Sequence, residues 1–395
     1  MLNEKMLGLG ENRSVIREIF EFGNKRRAEV GAQNVYDFSL GNPSIPAPKE
    51  VNEAMVKLLT EFDPVKLHGY TSAQGAPDVR KTIAQSIEKR FGIKADMDLI
   101  YMTCGAAASL TICLNAICNN DDEVIALAPF FPEYRVFVEK AGAKLVVSKC
   151  RESDFQIDFT QLEKAITKNT KAIIVNSPNN PTGVVLSGET IEQLATLLDK
   201  KQKEYGKRIF IICDEPYREL AYGVEVPYIP NYYDNTLVCY SYSKSLSLPG
   251  ERIGYIFVSP KIEKSQKVYA AVCGAGRALG FVCAPSLLQL TVKDCVELTS
   301  DVSVYKKNRD LLYNSLTEYG YKAAKPDGAF YLFIKSPEPD ANAFCERAKK
   351  YDLLLVPSDS FGYEGYVRIS YCVSTEQIEK SLPYFKKLIE EYKYN

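Results

Sequence analysis

The sequence predicts an α/β fold: a large, mostly parallel seven-stranded sheet with helices on both faces, joined to a smaller α+β part. Three observations predict it. Apolar runs recur at 99–103, 123–128, 144–148, 171–176, 209–213, 236–241 and 253–258, mostly separated by helical patterns such as 189–203. These runs are near-continuously apolar, as strands buried on both faces are. After about residue 295 the texture changes to long helical patterns flanking short strands.

Taken in order, residues 14–22 carry a helical apolar pattern through Val15, Ile19 and Phe22. Residues 36–40 read as a short strand running into Gly41-Asn42-Pro43, and the prolines of 45–48 break regular structure before a helix over 50–59. The seven strand candidates follow. Helices are expected over 296–316, 342–351 and 375–392, with short strands near 329–334 and 367–370. Pro326-Asp327-Gly328 is a turn signal ahead of the first of these strands. A chain of 395 residues is too long for one small core. We expect a large domain over 48–295 and a small domain built from 1–47 and 296–395.

Composition excludes several classes of function. With 49 basic and 50 acidic residues the net charge is −1, so neither nucleic acid nor an anionic membrane is an expected partner. No apolar stretch approaches the roughly 20 residues that span a bilayer, and Met1–Lys5 shows no secretory pattern. Eleven cysteines, without a Cys-x-x-Cys pair, read as reduced thiols of a cytoplasmic protein. The single histidine, His68, rules out multi-histidine zinc chemistry, and no serine motif supports a triad around it. No metal is expected. Proton transfer falls to Lys, Tyr, Asp or Glu, or to a cofactor.

Ligands on open α/β sheets bind beyond the carboxyl ends of the strands. Chemistry-bearing residues sit there. The strand at 171–176 runs into Asn176-Ser-Pro-Asn-Asn180-Pro-Thr-Gly183, and the strand at 209–213 into Asp214-Glu-Pro-Tyr217. Ser241-Tyr-Ser243-Lys244 closes the strand at 236–241, with Pro249-Gly250-Glu-Arg252 shortly after. Hydroxyls and a guanidinium suit a phosphate dianion. Gly105-Ala106-Ala107 opens a helix whose backbone N–H groups also suit phosphate. An amide, an acid, a phenol, a lysine and an arginine, in this order along the chain, form the set that holds pyridoxal 5′-phosphate as a Schiff base. Each piece alone is weak: Asn180–Gly183 is by itself a turn, and a lone lysine is usually a surface residue.

Together these motifs resemble the fold-type I aminotransferases of classes I and II, over about residues 10–390. The resemblance implies a homodimer with shared active sites, acting on an amino acid and a 2-oxo acid by a ping-pong route in amino-acid metabolism. It implies that Lys244 forms the internal aldimine and moves the substrate proton. Asp214 pairs with the pyridinium nitrogen, which makes the ring an electron sink. Tyr217 and Asn180 reach the phenolic oxygen. Gly105, Ala106, Ala107, Ser241, Ser243 and Arg252 bind phosphate. Phe131 stacks on the ring, with Phe130 as the alternative. Tyr70, in His68-Gly-Tyr70, reaches the phosphate of the neighbouring subunit. Arg368 clamps the substrate α-carboxylate, beside Asn180 and the backbone at Gly41. Aspartate, or a broad acidic and aromatic range, is the expected substrate class, and Arg13, Arg17 and Arg277 are candidates for a second carboxylate-binding cation. Carbon–sulfur β-lyases of the same fold share these motifs. A non-enzymatic sensor domain would need a basic DNA-reading module, and the net charge gives no sign of one.

Overall fold

The structure, a computed structural model, describes residues 2–11 and 14–392. Its strands begin with β1 (Tyr36–Asp37), β2 (Ile100–Thr103), β3 (Glu123–Ala128), β4 (Lys144–Lys149), β5 (Thr170–Asn176), β6 (Phe210–Glu215), β7 (Thr236–Ser241) and β8 (Gly254–Val258). They continue with β9 (Lys322–Ala323), β10 (Tyr331–Lys335), β11 (Leu353–Leu354), β12 (Val356–Pro357) and β13 (Tyr366–Ser370).

Seven of them form one sheet in the order β2-β8-β7-β6-β5-β3-β4. All neighbours are parallel except β8, which is antiparallel to both β2 and β7. An apolar run carries no direction, so the sequence could not single out β8. Every residue of β6, β7 and β8 is buried, as central strands covered on both faces must be. The edge strand β4 keeps Lys144 and Lys149 exposed, and charge on an edge blocks further pairing. Helix Gly188–Tyr205 lies between β5 and β6 in sequence; Ser187 caps it by accepting from Thr190 N–H.

The second sheet is antiparallel, in the order β12-β13-β10-β9. Helices Ser303–Tyr319 and Thr375–Glu390 supply Leu312, Leu316, Phe385 and Leu388 to its core. Near the chain start, β1 pairs in parallel with β11, Tyr36 opposite Leu353. The helix expected over 14–22 runs from Val15 to Val30. Its second half is polar and escapes a search for apolar periodicity. It is tied down by ion pairs instead, Arg26 to Asp352 and Arg27 to Asp37, each at 2.6 Å.

The helix expected to start at 296 starts at Ser303. The chain is pinned just before it: Ser300 N–H donates to the Ser245 carbonyl at 2.7 Å, and Asp301 accepts from Ser303 N–H. This anchor joins the start of the C-terminal part to the turn that carries Lys244.

Candidate active site

β2, β5, β6 and β7 point the same way, so the segments leaving their carboxyl ends meet on one edge of the sheet. A cavity of about 290 Å³ opens there. Gly41, Ala106, Ala107, Phe131, Asn180, Tyr217, Ser241, Ser243, Lys244, Arg252 and Arg368 line it, all chosen from the sequence. The lining also includes Ile16, Pro216, Pro249 and Tyr331, which sequence reasoning did not select.

One wall is an anion cradle. Gly105 precedes helix Ala106–Ile117 with φ +86°, a left-handed conformation that side chains rarely adopt. A Cβ there would lie 2.9 Å from Arg252 Nη2. The glycine thus lets the guanidinium approach the first turn of the helix, where free N–H groups favour an anion. Ser241 caps the short turn Tyr242–Ser245, its Oγ accepting from Ser243 N–H and lying 2.8 Å from Ser243 Oγ. Arg252 Nη1 donates to the Pro249 carbonyl at 3.0 Å and, more weakly, to Ser243 Oγ at 3.5 Å. Among the described residues Arg252 has no carboxylate partner.

Lys244 projects from that turn. Its Nζ donates to the Gly41 carbonyl at 2.6 Å and lies 5.4 Å from the centre of the Phe330 ring. Burial disfavours the ammonium, and the charges of Arg252 and Arg368 add to the effect, so the amine is pulled down to about 8. A lysine in this setting keeps a reactive, neutral fraction near physiological pH.

Asp214 lies at the end of β6, 5 % exposed. Its Oδ2 accepts from Tyr134 O–H at 2.6 Å, while Oδ1 is buried without a hydrogen-bond partner. Desolvation raises its pKa to about 7; the Tyr134 bond opposes the rise, and the charge of Glu215 adds to it. An orphaned buried carboxylate oxygen costs free energy unless something donates to it. Sequence reasoning gave Tyr134 no role. In space it lies beneath Asp214, 80 residues away in sequence.

Arg368, on β13, forms the opposite wall. Its guanidinium is 2 % exposed and has no carboxylate partner among the described residues. Nη1 donates to Asn180 Oδ1 at 3.0 Å and Nη2 to the Ser39 carbonyl at 2.5 Å, and Nε has no partner. The group is sandwiched between the rings of Tyr331 (4.7 Å) and Phe361 (5.2 Å). Desolvation pulls its pKa below the usual arginine value. Asn180 is itself held, its N–H donating to Asn176 Oδ1 at 2.8 Å.

Phe131 faces the cavity, whereas Phe130 is 2 % exposed and packs beneath it beside Tyr134. Tyr70 does not reach the cavity of its own chain and is fully exposed. Arg17 is on the surface in an ion pair with Glu21, Arg277 is exposed on helix Ser265–Leu279, and Arg13 lies outside the described residues. The cavity's cations among the described residues are therefore Lys244, Arg252 and Arg368. An anion cradle, a depressed amine, an unpartnered carboxylate oxygen and a buried guanidinium are the chemistry that pyridoxal 5′-phosphate and an amino-acid carboxylate require. The residues present fit both.

The chain is similar to known proteins along most of its length. Residues 32–384 match the family model described as "Aminotransferase class I and II". A probable aspartate aminotransferase of Methanocaldococcus jannaschii is 32% identical, over 95% of this chain and 97% of its own. Aromatic-amino-acid aminotransferase 2 of Thermococcus litoralis is 29% identical, over 97% of each chain. The crystal structure of an aminotransferase from Eubacterium rectale superposes with a TM-score of 0.98 at 56% identity, covering 99% of both chains.

Proposed function

The chain belongs to the class I and II aminotransferases, transaminases that use pyridoxal 5′-phosphate, and we propose that it moves an amino group between an L-amino acid and a 2-oxo acid in two half-reactions at the Lys244 cavity. The observation that carries this reading is one cavity holding both a depressed lysine amine and a buried arginine without a carboxylate partner.

The reading gives each residue a task. Ser241, Ser243, Arg252 and the N–H groups of Ala106 and Ala107 hold the phosphate, and Gly105 permits their approach. Asp214 Oδ1 accepts from the ring nitrogen, braced by Tyr134 on its other oxygen. Phe131 packs against the ring. Tyr217 and the amide N–H₂ of Asn180 donate to the phenolic oxygen; Asn180 can do this because its Oδ1 already serves Arg368. When bound, pyridoxal phosphate supplies an electron-withdrawing ring that stabilises the charge left at Cα. Lys244 Nζ would be the amine that holds the cofactor and, when free, the base that takes the proton from the substrate Cα. Arg368 grips the α-carboxylate and so fixes the plane from which that proton leaves.

Fully exposed Tyr70 supports a homodimer in which it reaches the partner's phosphate site. Aspartate, or a broad acidic and aromatic range, is the substrate class we propose, since the relatives above are named for aspartate and for aromatic amino acids. No helix among the described residues is long and apolar enough to cross a membrane. We place the enzyme in the cytoplasm, where its eleven cysteines stay reduced.

The test is a titration of cofactor-loaded enzyme with aspartate, glutamate or phenylalanine, one at a time and without an oxo acid. We expect one equivalent of the matching 2-oxo acid per site, after which the reaction stops. Continued release of pyruvate and ammonia from a β-substituted donor would make the protein a carbon–sulfur β-lyase instead.

A further inference from the structure

We propose that Tyr331 is a positioning residue that couples the two faces of this site, through its hydroxyl to Tyr217 and through its ring to Arg368. The inference rests on the reading above and adds a residue to it.

The fold puts Tyr331 where it touches both. It opens β10, which pairs antiparallel with β13; Phe333 stands opposite Arg368. Tyr331, two residues before Phe333, is therefore the diagonal neighbour of Arg368 on the same face, within reach of a ring and a long side chain. Its ring centre is 4.7 Å from the guanidinium carbon. A planar cation over a ring face is attracted by the ring quadrupole, and more so when desolvated, as both groups are here at 2 % exposure.

The hydroxyl points the other way. It lies 3.0 Å from the Tyr217 hydroxyl, with the two rings edge to face at 5.7 Å. If Tyr217 O–H donates to the cofactor oxygen, its own oxygen is free to accept from Tyr331 O–H. A phenol that accepts one hydrogen bond donates a stronger one, because the chain of bonds polarises cooperatively. Gly41 completes the fit, since a Cβ there would overlap the Tyr331 hydroxyl. The carbonyl of the same glycine accepts from Lys244 Nζ. One side chain thereby touches the residues assigned to the phenolic oxygen and to the carboxylate, and packs on the backbone that steers the lysine.

The hydroxyl and the ring can be removed separately. Tyr331→Phe keeps the ring; Tyr331→Leu loses both. In cofactor-loaded Tyr331→Phe we expect the pH midpoint of the visible absorption change to rise by about half a unit to one unit, as loss of one hydrogen bond implies. We expect kcat to fall about three- to tenfold with KM for both substrates nearly unchanged. Tyr331→Leu is expected also to raise KM for amino acid and oxo acid about tenfold, because Arg368 loses its seat. The decisive comparison is the double variant. If the hydroxyl acts through Tyr217, Tyr331→Phe moves the midpoint no further in a Tyr217→Phe background.

An unmoved midpoint in Tyr331→Phe, or equal shifts with and without Tyr217, would overturn the hydroxyl half of the inference. An unmoved KM in folded Tyr331→Leu would overturn the ring half. If Tyr217→Phe itself leaves the midpoint in place, the assignment of Tyr217 to the phenolic oxygen is what fails. Should Tyr331→Leu not fold, Tyr331→Phe and its double variant still decide whether Tyr331 couples to Tyr217.

Discussion

Lys244→Ala is expected to lose at least about 10⁴-fold in turnover while still binding pyridoxal phosphate in the cavity. The size follows from the number of tasks that one amine performs. In the proposed function it is both the covalent anchor and the base that moves the Cα proton. Among the described residues Lys244 is the one amine that lines the cavity. His68, the one histidine, is not among the lining residues. Cofactor binding should survive, because the phosphate cradle is built from Gly105, the first turn after it, Ser241, Ser243 and Arg252. Equilibrium dialysis and a turnover assay on the same preparation check both halves. Turnover within tenfold of the parent would rule out the assignment.

Arg368→Gln is expected to lower kcat/KM for amino acid and oxo acid alike by about 10²–10³-fold. That is what losing two charge-assisted hydrogen bonds to a carboxylate costs in a site of low polarity. A second effect should run in the opposite sense. The guanidinium is buried, touches no carboxylate among the described residues, and leaves Nε without a partner. Such a charge costs desolvation that only a bound anion recovers in full. The ligand-free variant should therefore melt at the parent's temperature or higher, and a carboxylate ligand should stabilise the parent more than the variant. A ligand-free Tm several degrees lower would identify Arg368 as a structural tie between Asn180 and the Ser39 backbone. If the variant instead melts no lower than the parent, activity and stability trade against each other at one residue, as expected where a site is preorganised for a ligand.

The sequence made the large sheet legible because strands buried on both faces read as unbroken apolar runs, and β6 and β7 are buried from end to end. It made most of the cavity lining legible because the chemistry stands just past strand ends, where local order along the chain reflects order in space. What it hid was tertiary. Tyr134 and Asp214 are 80 residues apart, and Tyr331 and Tyr217 are 114 apart. Neither pair leaves a trace in periodicity or spacing. Tyr331 was foreshadowed only by the turn at Pro326–Gly328 that aims the strand. Burial also arbitrated what pattern could not: of two adjacent phenylalanines, Phe131 faces the cavity and Phe130 packs beneath it. The arginines considered for a second carboxylate are no more legible from pattern, because a cation that serves a partner's site leaves no trace in one chain. Arg17 and Arg277 are exposed on this chain and do not line its own cavity.

The most direct test of the account is to locate the cofactor on the chain. The enzyme is loaded with pyridoxal phosphate, reduced with borohydride, digested, and mapped by mass spectrometry. The account predicts a phosphopyridoxyl group on the peptide that contains Lys244, and none in Lys244→Ala. A modified lysine elsewhere, or no modified peptide from enzyme that turns over, would contradict it.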